Sequence, residues 1–158
     1  MEQSKLEKLL AEYVSDTTNA NILFQLALCY DELEQISPAI SFYHICAENA
    51  ENVTLKYECM LRAGLLTRKQ ENRLYTEKSF FQNAICIKPD RIEAYIYMAD
   101  TLLKLDRRHD ALNYLCIAEC FYNINNAQLM VKLPNVELQD LNIKKIDFAK
   151  MCGVLLNG

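Results

Sequence analysis

The stretch that decides the fold is "IEAYIYMADTLLKLDRRHDALNYLCIAE", Ile92 to Glu119. It holds two apolar runs at helical spacing, separated by the polar "KLDRRHD". Tyr95, Met98, Ala99 and Leu102 fall at i, i+3, i+4 and i+7, one stripe of a 3.6-residue helix. Ala111, Leu115 and Ala118 make a second stripe, with small residues where two packed helices must approach closely. The reading is a helical hairpin whose halves pack face to face.

The same spacing occurs twice upstream. "LFQLALCY", Leu23 to Tyr30, sets Leu23, Leu26, Ala27 and Tyr30 in this order, and 34 residues along stand Tyr57, Met60, Leu61 and Gly64. A further step of 38 residues reaches Tyr95. Second halves follow the same rule: Ala39, Tyr43 and Cys46, then Glu77, Phe81 and Ala84, then Ala111, Leu115 and Ala118. Their steps are 38 and then 34, the reverse order, so a four-residue surplus lies between Gly64 and Glu77. Four residues are about one helical turn, and the second hairpin is expected to be a turn longer.

Polar turns join the halves. In "DELEQISP", Ser37 reads as an N-cap with Pro38 at the first helical position. In "IKPDRIEA", Pro89 ends one helix and Asp90 caps the next. Only three glycines and three prolines among 158 residues suit few turns and long helices better than a strand-rich fold. An apolar share of 51% excludes a disordered chain.

A repeat of about 34 residues, built as helix–turn–helix with small and large residues at fixed offsets, resembles the tetratricopeptide repeat (TPR) family. The fold class expected is all-α: a TPR-like array with an N-terminal capping helix, about three repeats and a C-terminal half-repeat. The divisions are residues 1–18 for the cap, 20–52, 53–90 (extended) and 91–122 for the repeats. An irregular linker then covers 123–142 and a terminal helix 143–158. Glu77 departs from the family pattern by standing where a small residue is usual.

A narrower resemblance is to TPR modules attached to microbial or viral glycosyltransferases. It is carried by "LEKLLAEYVSDTTNANILFQLALCYDELEQISPAISFYHICAE", "YECMLRAGLL", "ENRLYTEKSFFQNAICIKPDRIEAYIYMAD" and "KKIDFAKMCGVLLNG". The resemblance implies a non-catalytic accessory or scaffold module. The other readings are a stand-alone adaptor or self-associating protein, and part of a glycosyltransferase whose catalytic domain lies elsewhere.

The family binds partners on the inner surface lined by first helices. By the phase of the repeat, that surface comprises Asn21, Phe24, Leu28 and Asp31, then Glu58, Arg62 and Leu65, then Glu93, Ile96, Asp100 and Leu103. Chaperone-binding members hold a terminal carboxylate with lysine and asparagine at such places; Phe24, Leu28, Ile96 and Asp100 do not reproduce that clamp. A mixed apolar and acidic face suits a protein or peptide segment with apolar anchors and basic flanks. The plainer alternative is that Phe24 and Leu28 pack on the N-terminal helix. At the other end, Phe148, Met151 and Leu155 form an apolar stripe in "FAKMCGVLLNG", expected to be covered by further chain, a partner or a second copy.

Other chemistry is not expected. A net charge of −4 offers no general attraction to nucleic acid or anionic lipid, and "RRH", Arg107 to His109, reads as a solvated turn. No run is long and apolar enough for a membrane span, so a cytoplasmic protein is expected. Seven cysteines suit reduced thiols; Cys29, Cys46, Cys59, Cys86, Cys116 and Cys152 read as small hydrophobes in helical runs. There is no phosphate-cradling glycine loop, no metal-ligand spacing and no paired acid and base. No catalytic residue, cofactor or metal is assigned.

Overall fold

A computed structural model describes residues 2–118 of the chain. The linker 123–142, the terminal helix 143–158 with Phe148, Met151 and Leu155, and Cys120 and Cys152 lie outside the described residues. The chain divides into two compact units between Pro89 and Asp90. Described residues are all-α: seven helices that pack sequentially in pairs.

The first unit holds α1 (Glu2–Ser15), α2 (Ala20–Glu32), α3 (Ile36–Asn49), α4 (Val53–Thr67) and α5 (Leu74–Ile87). Each helix packs on the next along the chain. The amphipathic α1 sets Leu6, Leu9, Leu10 and Tyr13 against Ile22, Leu26 and Cys29 of α2, Leu33 just past its end and Phe42 of α3. Phe42 stacks on Tyr30 at 5.5 Å and receives the edge of Tyr13, also at 5.5 Å. In the second unit, α6 (Ile92–Lys104) is followed by α7, helical from residue 108 to the last described residue, 118.

Packing decides where these helices form. Differences in helix propensity are a few tenths of a kcal/mol per residue, whereas burying one large apolar side chain is worth about 1.5–3 kcal/mol. The repeated positions are the buried ones: Leu23, Leu26 and Ala27 with Ala39, Tyr43 and Cys46, and Met98, Ala99 and Leu102 with Ala111, Leu115 and Ala118. Two of the aligned thiols differ. Cys86 and Cys116 are exposed, not core residues as their apolar runs suggested, because each sits on the solvent side of its helix.

The turns are made by the backbone. In α2, the N–H of Glu34 donates to Asp31 and that of Gln35 to Tyr30, with Glu34 in the left-handed region at φ 58°. After α6 the same pair recurs, Asp106 to Leu103 and Arg107 to Leu102, with Asp106 at φ 59°. These are Schellman closures, which satisfy the last carbonyls of a helix and reverse the chain. The closure places Ile36 directly in α3 with Gln35 as N-cap, so Ser37 is not the cap. Its hydroxyl instead accepts a hydrogen bond from Gln70 at 3.1 Å. Pro38 lies in the first turn, where its missing N–H has no helical partner to lose. Asp90 is likewise not the cap of α6: the helix starts one residue later, behind Arg91.

The surplus of the second repeat is shared between a helix and a loop. Asn72 is the third left-handed residue, at φ 57°, and follows Glu34 and precedes Asp106 by the same steps as the second halves. The insertion therefore lies between Gly64 and Asn72. One residue of it extends the end of α4 to Thr67, past the positions aligned with Glu32 and Lys104 where α2 and α6 end. The rest lengthens the connection, which spans 68–73 here but 33–35 and 105–107 in the other hairpins. A full additional helical turn does not form.

The insertion and the misfit residue Glu77 are one feature. Glu77, 1% exposed, occupies the place of Ala39 and Ala111, and its carboxylate pairs with the guanidinium of Arg68, which lies in the inserted stretch. Arg68 also sits over the Phe81 ring, 5.3 Å from its centroid. Phe81 in turn fills the space above Gly64, where an added Cβ would stand 2.5 Å from a ring atom.

Two stability outcomes follow from these contacts. Gly64→Ala would gain up to about 1 kcal/mol of helix propensity but overpack a ring that is fully buried and capped by Arg68. A net loss of about 1–3 kcal/mol is expected in urea unfolding. Glu77→Ala, which strands the Arg68 charge, should cost about 3–5 kcal/mol, while the paired change Arg68→Met with Glu77→Leu should cost clearly less. Equal losses for the single and paired variants would show that the ion pair is not what accommodates Glu77.

Candidate functional site

Phe24, Arg62 and their neighbours bring α2, α3 and α4 together in the first unit. Helical spacing puts Asn21, Phe24, Leu28 and Asp31 on one face of α2, apart from the Ile22, Leu26, Cys29 and Leu33 stripe that meets α1. The Phe24 ring lies 6.0 Å from that of Tyr43 on α3 and 6.0 Å from the guanidinium carbon of Arg62 on α4. Leu28 is half-buried.

The polar groups form a chain. Arg62 donates from Nε and Nη2 to Oε1 of Glu58, both at 3.0 Å. The Tyr43 hydroxyl donates to Oδ2 of Asp31 at 3.3 Å. The Arg62 guanidinium lies close enough to the Tyr43 hydroxyl for the two groups to act on each other's charge. Tyr43 itself is fully buried, while Asp31, Glu58 and Arg62 are half-buried.

The environment acts on both titrating members. Burial pushes the Tyr43 phenol well above its ordinary range; Arg62 opposes the rise and Asp31 adds to it. For Arg62, burial works against the charge, but Tyr43 and Glu58 outweigh it and the guanidinium is held protonated more firmly than usual. At neutral pH the cluster therefore presents two carboxylates and one guanidinium, with a neutral phenol behind them.

The other inner positions are distributed unevenly. Asn21 is exposed and Leu65 is half-buried. In the second unit, Asp100 and Leu103 are half-buried, and Asp100 pairs with Lys104 at 3.3 Å. Glu93 and Ile96 are 3% exposed, because α6 is buried along most of its circumference; neither is open to a partner in this structure. The "RRH" residues are exposed, and Arg107 pairs with Asp110 at 2.5 Å. Among the described residues, no group of His, Cys, Asp and Glu is arranged to hold a metal ion. No helix among them is long and apolar enough to cross a membrane.

By its spacing Tyr43 is a core aromatic, and the structure adds its hydroxyl to this face through Asp31. The signal was present: Tyr43, Phe81 and Leu115 occupy aligned positions, and only Tyr43 carries a hydroxyl.

No protein-family model and no curated protein matches the chain. Solved structures do. One described as "MamA MSR-1 C2" superposes with a TM-score of 0.62 at 17% identity, over 77% of this chain and 68% of that one. Another, "Crystal structure of MamA", gives a TM-score of 0.66 at 13% identity, over 99% of this chain and 87% of that one. MamA contains tetratricopeptide repeats, so the all-α, TPR-like fold stands on both the helix pairs and this likeness. At such identity the likeness is one of fold.

The raised Tyr43 phenol has a measurable consequence. An unfolded chain releases this proton near pH 10.0, while the native protein retains it to higher pH. The contribution is fully present below about pH 10 and is lost as pH rises beyond it. Tyr43→Phe should therefore lose less stability than the parent protein between pH 9 and pH 11, each followed by urea unfolding. Parallel losses in the two proteins would contradict the burial of an un-ionised phenol.

Proposed function

We infer that the chain is a non-catalytic protein-interaction module, and that the inner face of its first unit, centred on Phe24, receives a segment of a partner protein. The observation that carries this reading is the arrangement of half-buried Phe24, Leu28 and Leu65 with the carboxylates of Asp31 and Glu58 around them. Arg62 is already satisfied by Glu58 and folded against Phe24, so the charge left for a partner is negative. A helix or extended peptide with apolar anchors and lysine or arginine flanks complements this surface.

A scaffold role accords with the TPR-like fold and with the lack of any paired acid, base or nucleophile in the sequence. Association with a glycosyltransferase rests on the order of sequence segments alone; neither MamA structure carries such a link. The candidate end stripe, Phe148, Met151 and Leu155, supplies the second reading, self-association through the terminal helix. Free thiols at Cys29, Cys46, Cys59, Cys86 and Cys116 suit the reducing setting of a cytoplasmic protein.

Selection of a random peptide library on the full chain tests the main reading. Enriched peptides should combine apolar residues with Lys or Arg, and Phe24→Ser should weaken them about tenfold, with Glu58→Gln weakening the basic ones without touching the core. Enrichment of acidic peptides, or binding insensitive to both variants, would remove the inner face from consideration. Light scattering of the same protein across a concentration series tests self-association: a monomer at every concentration argues against it.

A further inference from the structure

We propose, on the reading of the inner face as a binding surface, that Tyr43 is a positioning residue that sets the charge this face shows to a partner. Tyr43 lies behind the face, fully buried on α3, and touches Asp31 and Phe24 of α2. Its hydroxyl donates to one oxygen of Asp31 on α2, leaving the other carboxylate oxygen without a hydrogen bond among the described residues. It also meets the Arg62 guanidinium of α4, which Glu58 grips from the other side. Phe24 closes the arrangement, with Tyr43 and Arg62 each 6.0 Å away.

The geometry separates two charges that would otherwise meet. A carboxylate and a guanidinium on adjacent helices tend to pair directly, and a direct Asp31–Arg62 pair would neutralise the face. The neutral Tyr43 hydroxyl stands between them, donating to Asp31 while Glu58 takes the Arg62 donors. Asp31 keeps one free oxygen and Glu58 keeps its second, so each can accept from a basic side chain. Arg62 is held down on Phe24 and Glu58, away from an acidic ligand. Selectivity for basic over acidic segments thus originates in a residue that no ligand reaches.

The variant Tyr43→Phe keeps the ring and removes only the hydroxyl. Two readouts separate positioning from a merely structural role. The first needs no ligand: NMR measurement of rotation about the Nε–Cζ bond of Arg62 in the full chain, with exposed Arg108 as reference. Rotation should be hindered in the parent protein and markedly faster in Tyr43→Phe. The second uses two synthetic peptides that differ only by Arg or Glu at one position, built on a sequence from the library selection. The preference for the Arg peptide should fall by about tenfold or more in Tyr43→Phe, the size expected for one lost hydrogen bond to a charged group.

Arg62 rotating as freely as Arg108 in the parent protein overturns the proposal. So does an equal weakening of both peptides by Tyr43→Phe, which would mark a structural role alone. If neither peptide binds the parent protein, the binding reading and the selectivity fall together, and the rotation measurement alone decides whether Tyr43 positions Arg62.

Discussion

The close approach of α4 and α5, where the ring of Phe81 fills the space over Gly64, is the constraint on which the second hairpin depends. A helix surface that lacks a Cβ lets an aromatic ring from the facing helix come in to van der Waals distance. In the other hairpins the small residues Ala27, Ala39, Ala99 and Ala111 are fully buried. The second hairpin differs. With Glu77 in the small-residue place, the space must hold a carboxylate, and a buried carboxylate needs a charged partner. Arg68 is that partner, and the inserted stretch is what brings it within reach. Insertion and substitution each look like a defect of the repeat, yet together they make a satisfied pair that also covers Phe81.

The same logic of satisfied polar groups builds the inner face. Tyr43 occupies a position that is apolar in the other two hairpins, and its hydroxyl would be costly there without partners. Asp31 of α2 accepts its proton, and the Arg62 charge of α4 stands nearby. The consequence extends from packing to recognition: the three helices of a repeat and a half are linked by a polar chain directly beneath the surface proposed to meet a partner. A change in the core at this point alters the charge outside.

Much of this was legible beforehand, and the reasons are specific. The 3.6-residue stripes of Leu23 to Tyr30 and Tyr95 to Leu102 report burial, and burial is what the helices need, so the hairpins could be read from spacing alone. The reversal of the 38- and 34-residue steps located the insertion. It could not show how the surplus divides, since whether a helix continues past Thr67 depends on what Arg68 finds to bind. Ser37 and Asp90 looked like caps by residue type, but the backbone closures at Glu34 and Gln35, and the start of α6 behind Arg91, are set by how the chain reverses. Cys86 and Cys116 show the limit of run composition: an apolar neighbourhood in sequence does not say which side of the helix a residue is on.

By itself the sequence determined the all-α class, the helix-pair repeat and its phase, because periodic burial is written into spacing. The tertiary structure decided which of the expected contact residues are enclosed. It buried Glu93 and Ile96, set Phe24 beside Tyr43 and Arg62, and joined Tyr43 to Asp31. Those outcomes depend on distances between residues far apart in the chain, and on which polar group finds a partner once water is excluded. No local pattern encodes either.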